Sequence, residues 1–283
     1  MTELRAEHVA RRIASLYGEV DWRSATGVLH VAAIAAEPRV AIRMGPAAPR
    51  SSTDRFVLGF ARARADAIVT TGAVLRAEPE LVHRYGDDPD SQAAFSVWRE
   101  RELGRREAPS LVVFSGSGDF PLDHPAIRAA RAGFVWTTPE GAARLGGSVG
   151  NLSLEVDAAP GATAPDSFAR LIEAARRRAD SKTISIEAGP SAVAALYTGG
   201  RAAPGPPAAG DSAGRPHVDE LLLSTYEGPL AIAAVGPPFV SQAAVDACFR
   251  RPPTGVTFEE ASGPWRFERY RRVAWASMGA AGS

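Results

Sequence analysis

Two short segments of the sequence combine the end of a strand, a glycine turn and the start of a helix, and this combination can seat a phosphate group. The first segment, Ser185–Ser191 with the letters SIEAGPS, passes through Gly189 and opens its helix at Pro190. The first N–H groups of a helix are unpaired and lie at the positive end of the helix dipole, so an anion is favoured there. Proline at the first helical position loses no useful donor. The same pattern also fits an ordinary strand-to-helix connection.

The second segment, Thr70–Glu78 with the letters TTGAVLRAE, leaves a predicted strand through Gly72. The guanidinium of Arg76 is a suitable group for contacting a phosphate. Taken alone, Arg76 and Glu78 also fit a solvated pair on a surface loop. The two segments are more informative together, because both leave a strand through a glycine.

Hydrophobic periodicity predicts the elements that position these segments. Helices are predicted over residues 3–17, from an N-cap at Asp54 and from an N-cap at Asp166. Strands alternate with helices along most of the chain, and the closing strands are predicted at Leu230–Val235, Gly255–Glu259 and Trp265–Ala274. This order predicts an α/β fold with a mixed sheet, helices on both faces and antiparallel strands at the C-terminal end.

Length and composition predict one large domain. We expect a helical extension over residues 1–24 and a single domain over residues 25–283. Residues 199–216 are so rich in Gly, Pro and Ala that we expect a flexible insertion there.

Composition also excludes several classes of protein. The chain has 32 Lys+Arg against 32 Asp+Glu, so its formal net charge of zero argues against a nucleic-acid partner. Cys248 is the single cysteine, which excludes an intramolecular disulfide and a zinc ribbon, and no histidine spacing predicts a metal site. The charged N-terminal residues and the absence of an eighteen-residue apolar run predict a cytoplasmic protein with no membrane partner.

Four segments in this order resemble a known family. Ser52–Pro79, with its helix ending in RARADA followed by TTGAVLRAE, is similar to the reductase domain of bacterial riboflavin-biosynthesis deaminase–reductases, within the dihydrofolate-reductase-like superfamily. Leu111–Leu145 is similar to the middle of that domain. Ile186–Ser191, followed by Val218–Leu223, resembles the family's E-G-G-P-S helix start and the strand after it. The resemblance covers about residues 28–235, and the zinc-deaminase half is absent.

The resemblance implies a dihydrofolate-reductase-like fold, NADPH as cofactor, hydride transfer to a small-molecule substrate and a homodimer. Ser52 and Asp54 would contact the substrate. The family's two glycine loops embrace the cofactor, and the matching positions here are Thr71, Gly72, Ala73, Val74, Arg76, Glu78, Glu187, Ala188, Gly189, Pro190 and Ser191.

The sequence departs from the family pattern at three places. Val74 replaces a threonine of the first loop, and Ala188 replaces a glycine of the second, where a methyl group could crowd a pyrophosphate. The first strand, His30–Glu37 with the letters HVAAIAAE, lacks the family's N-x-x-x-S-L-D-G pattern of substrate contacts. Glu37 and His30 are therefore the candidate proton donors, although His30 also fits a half-buried structural histidine.

These observations lead to three hypotheses. The leading one is an NADPH-dependent reductase that transfers hydride to a small heterocyclic or sugar-linked substrate of the pyrimidine or pterin type. The alternative is a protein of the same fold that has lost catalysis and acts as a binding or partner subunit. The third is a riboflavin-pathway reductase with divergent substrate contacts.

Overall fold

The computed structural model describes residues 2–159, 164–178, 181–198, 217–249 and 255–272. The insertion predicted at residues 199–216 lies outside these residues. The division into an extension over residues 1–24 and one domain over residues 25–283 stays a prediction. None of the helices in these ranges combines the length and apolar character needed to cross a bilayer.

Helices alternate with strands along most of the chain, as the periodicity predicts. They are α1 (Thr2–Tyr17), α2 (Ser52–Arg64), α3 (Gly72–Ala77), α4 (Pro89–Leu103), α5 (Pro125–Ala129), α6 (Pro139–Leu145), α7 (Ala164–Arg178), α8 (Pro190–Thr198) and α9 (Gln242–Cys248), with a 3₁₀ turn at Ile232–Ala234.

The strands form one mixed sheet. They are β1 (Gly27–Ala35), β2 (Val40–Ile42), β3 (Ala67–Thr71), β4 (Ser110–Phe114), β5 (Gly133–Thr137), β6 (Ser153–Val156), β7 (Thr183–Ile186), β8 (Glu220–Tyr226), β9 (Val235–Pro238), β10 (Val256–Glu260) and β11 (Gly263–Arg271). The spatial order is β10-β11-β8-β1-β7-β3-β4-β5-β6, and β2 and β9 pair beside β1.

Strands β8, β1, β7, β3, β4, β5 and β6 are parallel, while β11 and β10 add to one edge as an antiparallel hairpin. The central strands are buried on both faces, as parallel strands are when helices cover both sides. One face packs against α7, α8 and α9. The other packs against α1, α2 and α4 on one half and against α3, α5 and α6 on the other. The predicted fold class is therefore confirmed.

Three local predictions differ from the structure. The hydroxyl of Ser51, and not the carboxylate of Asp54, caps α2 by accepting from the Asp54 N–H at 2.8 Å. Helix α7 begins two residues before Asp166. The strand predicted at Leu230–Val235 is instead the short 3₁₀ turn followed by β9. The predicted strand end at Ala274 lies outside the described residues.

Candidate functional site

The loops that follow β3, β4 and β7 meet at the carboxyl edge of the sheet. In the strand order β7-β3-β4 these three strands are adjacent and parallel, so their carboxyl ends open onto one crevice, the usual position of ligands in such sheets. The crevice has a volume of about 430 Å³ and is called here the carboxyl-edge cavity. Its lining residues are Thr71, Gly72, Ala73, Val74, Arg76, Ala77, Glu78, Phe114, Ser115, Gly116, Ser117, Gly189, Pro190, Ser191, Ala192 and Pro237.

The two glycine loops singled out in the sequence thus lie on opposite walls of one cavity. Of the eleven positions matched to the family's cofactor loops, nine line it, and Glu187 and Ala188 do not. The two loops are far apart from each other in the sequence. The parallel pairing of β3 with β7 brings them together.

The loop after β3 is shaped by its first two residues. The Thr71 hydroxyl accepts from the Val74 N–H at 3.2 Å and thereby starts α3. A Cβ at Gly72 would lie 2.8 Å from the Ser115 Oγ, so a side chain there would displace the neighbouring loop after β4. The Thr71 hydroxyl consequently serves the helix start, and Gly72 allows the two loops to approach each other.

In the loop after β7, two neighbouring residues have different surroundings. Ala188 packs against the hydrophobic core and does not line the cavity. Gly189 faces the cavity, and a Cβ built there would meet no atom within 4 Å. The alanine that departs from the family pattern therefore leaves the cavity wall unobstructed, and Gly189 leaves room for a close backbone approach.

Arg76 lies at the rim of the cavity and is engaged by a neighbouring loop. Its guanidinium Nη1 lies 3.6 Å from the Asp119 Oδ2 and also donates to the Asp119 carbonyl. Its side chain is 46% exposed. Arg76 can contact an anion in the cavity, but Asp119 competes for it.

Behind the cavity, Glu187 forms a buried ion pair with Arg62 of α2. The guanidinium donates from Nη2 to Oε2 at 2.7 Å and from Nε to Oε1 at 2.9 Å. Burial alone would raise the pKa of Glu187, but the charge and hydrogen bonds of Arg62 outweigh it and hold that pKa below its usual range. His83 Nε2 lies 3.8 Å from Oε2, and burial lowers the pKa of His83 to about 4. Glu187 is thus a fixed negative charge beside a neutral imidazole.

Glu78 is the carboxyl group that lines the cavity itself. Burial raises its pKa; Glu187 raises it further, while Arg62 and His124 partly oppose the shift. His124 caps α5 and its Nε2 lies 3.0 Å from the Glu78 carbonyl oxygen, which holds the end of this loop in place. Of the carboxyl groups near the cavity, Glu78 has the pKa best suited to carrying a proton.

The two predicted proton donors lie elsewhere. Glu37 is exposed in the turn between β1 and β2. His30 is 1% exposed, its Nδ1 lies 2.6 Å from the Tyr197 hydroxyl, and its ring stacks on Phe239. Burial lowers the pKa of His30 to about 3, so the imidazole is neutral at physiological pH. Neither side chain lines the carboxyl-edge cavity.

Ser52 and Asp54, the predicted substrate contacts, lie in the first turn of α2. The Ser52 N–H donates to the Glu260 Oε2 at 2.7 Å, so this turn is tied to β10. Burial raises the pKa of Asp54 to about 6; Ser224 opposes the shift and Glu260 adds to it. These residues lie outside the carboxyl-edge cavity.

Sequence reasoning missed several groups at the site. One missed segment follows β4 and consists of Ser115, Gly116 and Ser117. It repeats the pattern of a strand followed by a glycine turn, so its place in the cavity wall could have been predicted from the sequence. Arg62 is the first residue of the RARADA pattern, but nothing in that pattern indicates its partner 125 residues away. Within the described ranges, no group of three or more metal-binding side chains is assembled.

Comparison with solved structures identifies the fold. A pyrimidine reductase-like protein from Corynebacterium diphtheriae superposes with a TM-score of 0.60 at 21% identity, over 93% of this chain and 99% of that one. RibD of Acinetobacter baumannii gives 0.54 at 14% identity, over 88% of this chain and 58% of that one. The riboflavin biosynthesis reductase Rib7 of Saccharomyces cerevisiae gives 0.52 at 10% identity, over 94% and 98%.

The chain therefore has the fold of pyrimidine reductase-like proteins, and the resemblance found in the sequence is confirmed at the level of the fold. No protein-family model matches the sequence, and no curated protein matches it either.

Proposed function

We propose that this protein is an NADPH-dependent reductase that transfers hydride to a small heterocyclic or sugar-linked substrate of the pyrimidine or pterin type. The observation that carries the proposal is the meeting of both glycine loops in one cavity of about 430 Å³, a volume typical of small-molecule sites. The fold shared with a pyrimidine reductase-like protein and with the riboflavin reductases supports it.

The residues present fit a nicotinamide dinucleotide. Gly189 leaves its wall open, Ala188 packs against the core and does not line the cavity, and Ser115 and Ser117 add hydroxyl-bearing residues to the lining. Arg76 supplies a positive charge at the rim. When bound, the nicotinamide supplies the hydride, and the protein supplies orientation and electrostatics.

The protein's own chemical contribution is a proton for the reduced substrate. Glu78 is placed to hold it, because it lines the cavity and burial favours its neutral form. Glu187 adds a negative charge that Arg62 fixes in place, and this charge also favours the protonated form of Glu78. Glu37 and His30 stay predictions as proton donors.

Titration with NADPH and with NADH tests the cofactor, with protein fluorescence and thermal unfolding as readouts. At a concentration of 100 times Kd, a ligand that binds only the folded chain adds about 2.7 kcal/mol of stability. Saturable binding with such a shift supports the reductase. If neither nucleotide binds, the reductase proposal is wrong, and a non-catalytic partner protein of the same fold takes its place.

Turnover is tested by NADPH oxidation with a panel of pyrimidines and pterins, with and without a sugar. We expect Glu78→Gln to lower kcat at least tenfold with little change in NADPH affinity, because a proton donor adds about 10²-fold or more to the rate. In the parent enzyme, kcat should fall as the pH rises through the raised pKa of Glu78.

Two matched variants make the assignment specific. Glu80→Gln changes an exposed carboxylate two residues away and should leave kcat unchanged. Glu37→Gln tests whether the carboxyl group in the exposed turn between β1 and β2 donates the proton. A large loss with Glu37→Gln and none with Glu78→Gln would move the proton donor to Glu37.

The homodimer and the cytoplasmic location remain predictions, and light scattering of the purified protein measures the oligomeric state.

A further inference from the structure

A second cavity, of about 270 Å³, lies on the sheet face that carries α4 and α5. It occupies the seam between two hydrophobic clusters, one formed with α1, α2 and α4 and the other with α3, α5 and α6. Its floor is the amino-terminal half of β3 and β4, through Ile68 and Leu111. It shares no lining residue with the carboxyl-edge cavity, so it is a separate compartment, called here the α4–α5 cavity.

The polar groups that line the α4–α5 cavity favour an anion. Arginine, histidine, glutamine, serine and tyrosine side chains line it, and no Asp or Glu does within the described residues. These polar residues are His83, Tyr85, Gln92, Ser96, Arg99, Arg106, Ser110 and Arg131. The remaining lining is mostly apolar, from alanine, valine, isoleucine, leucine and proline.

Arg99 is the deepest of these charges. It is 3% exposed, its Nε donates to the Glu107 carbonyl at 3.0 Å, and its Nη1 donates to the carbonyls of Ala63 and Ala65 at 2.7 and 2.6 Å. None of these bonds uses Nη2. These hydrogen bonds are with neutral carbonyl groups. The Asp66 carboxylate also stabilises the charge of Arg99 through space, but its own ion pair is with Arg105 at 3.0 Å.

Two arginines stand at the rim. Arg131 is exposed, and its side chain makes no ion pair or hydrogen bond with any residue that the structure describes. Arg106 is also exposed, but its Nε lies 2.6 Å from the Glu100 Oε1, which reduces the charge it can offer. Arg131 is therefore the rim group most available to a ligand.

We propose that the α4–α5 cavity is an accessory site for a small organic anion, a carboxylate or phosphate carried on a compact apolar body. The apolar floor takes the body, and Arg99 and Arg131 meet the charge. A guanidinium forms two parallel, charge-assisted hydrogen bonds with a carboxylate or phosphate, and these are stronger than its hydrogen bonds with an uncharged group. The volume limits the occupant to a single-ring or short-chain molecule.

The inference is tested without any nucleotide, so its outcome is independent of the reductase proposal. Benzoate and phenyl phosphate are titrated into the full-length protein, with benzyl alcohol as the uncharged analogue, and backbone amide shifts are recorded by NMR. We expect saturable shifts confined to the segments that line the cavity, residues 82–85, 92–99, 106–111 and 126–131. We also expect at least tenfold weaker binding of benzyl alcohol, and a preference that distinguishes carboxylate from phosphate.

Variants show whether binding takes place in the cavity. Arg131→Gln removes the rim charge and should weaken anion binding at least fivefold. Arg128→Gln changes an exposed arginine of α5 that does not line the cavity and should leave binding unchanged. Ser96→Phe, at an exposed lining position of α4, should block binding by all probes. Equal binding of benzyl alcohol, absence of any saturable shift, or anion binding that survives both Arg131→Gln and Ser96→Phe would each overturn the proposal.

Discussion

The carboxyl group of Asp54 lies in the first turn of α2, close to Ser224 of β8 and Glu260 of β10, and burial raises its pKa to about 6. Because the ordinary value is near 3.8, the folded chain binds more protons than the unfolded chain between these two pH values. The contribution of Asp54 to stability therefore falls as the pH rises from about 4 to about 6 and stays lower above that.

We expect Asp54→Asn to raise the free energy of unfolding by about 1 kcal/mol at pH 7.5 and to leave it nearly unchanged at pH 3.5. The gain is smaller than the pKa shift alone implies, because Asp54 is partly exposed and a helix N-terminus favours its carboxylate. Urea unfolding at both pH values measures it. The control, Asp90→Asn in the exposed first turn of α4, should change stability by less than about 0.5 kcal/mol. A loss of stability at pH 7.5 would contradict this account of Asp54.

Arg76 and Asp119 together bear on the choice between NADPH and NADH. The 2′-phosphate of NADPH needs a cation, and the Arg76 guanidinium is shared with the Asp119 carboxylate 3.6 Å away. Given that the cavity binds the nucleotide, we expect Asp119→Asn to raise the affinity for NADPH relative to NADH about threefold. The substitution frees the Arg76 guanidinium from a surface ion pair that is worth less than about 1 kcal/mol, which limits the size of the effect. Fluorescence titration measures both dissociation constants. Asp123→Asn, which alters an exposed carboxylate of the same loop, should leave their ratio unchanged.

At the scale of elements, two glycines of the chain have opposite surroundings. Gly59 lies inside α2, and a Cβ there would come within 1.9 Å of the Tyr85 carbonyl oxygen. Gly189 starts the turn into α8 and faces open space. We expect Gly59→Ala to lower the free energy of unfolding by about 2–3 kcal/mol despite the better helix propensity of alanine, because a backbone atom must move.

Gly189→Ala is the matched substitution, and it should change stability by less than about 1 kcal/mol while weakening nucleotide binding, because its methyl group would enter the carboxyl-edge cavity. Thermal unfolding and nucleotide titration of both variants separate the two effects. Equal stability losses at the two positions would show that the close approach of α2 to Tyr85 is relaxed in solution.

The sequence allowed the prediction of most elements, since their signals are local. The apolar stripe of α2 and the capped start of its helix lie within a few residues of each other, although Ser51 rather than Asp54 provides the cap. Helix α9 was missed because only two of its residues, Val245 and Cys248, are buried, too few to form a stripe. The apolar run Leu230–Val235 fits a strand or a short helical turn equally well by periodicity.

The candidate site was predictable in part for the same reason. The glycine loops at Thr71–Glu78 and Gly189–Ser191 carry their own pattern, and nine of their predicted residues line one cavity. The Arg62–Glu187 pair and the position of His83 depend on contacts across more than a hundred residues, which no single segment encodes. The orientation of Ala188 toward the core likewise depends on the packing of α8 against the sheet.

At the scale of the whole molecule, one buried charge network joins distant parts of the chain. Glu220 of β8 accepts from Arg64 of α2 through both carboxylate oxygens at 2.9 Å and from Arg269 of β11 at 2.7 Å. Both guanidinium groups stack over Trp22, each 4.7 Å from the ring. The network therefore fixes the N-terminal segment, a crossover helix and the antiparallel hairpin to one strand of the sheet.

Burial alone would raise the pKa of Glu220, but Arg64 and Arg269 outweigh it and lower the pKa to about 2. Its contribution to stability is present above the ordinary value near 4.5 and is lost as the pH falls toward 2. We expect Glu220→Gln to cost about 3–4 kcal/mol at pH 7, because two buried guanidinium groups lose their counter-charge. The difference from the parent protein should shrink steadily in denaturant unfolding between pH 4.5 and pH 2.5. Glu173→Gln, which breaks an exposed pair with Arg177 in α7, should cost less than about 0.5 kcal/mol at either pH. A Glu220→Gln cost that is equally small at pH 7 would mean that water reaches the network and screens it, and that packing alone holds the N-terminal segment against the sheet.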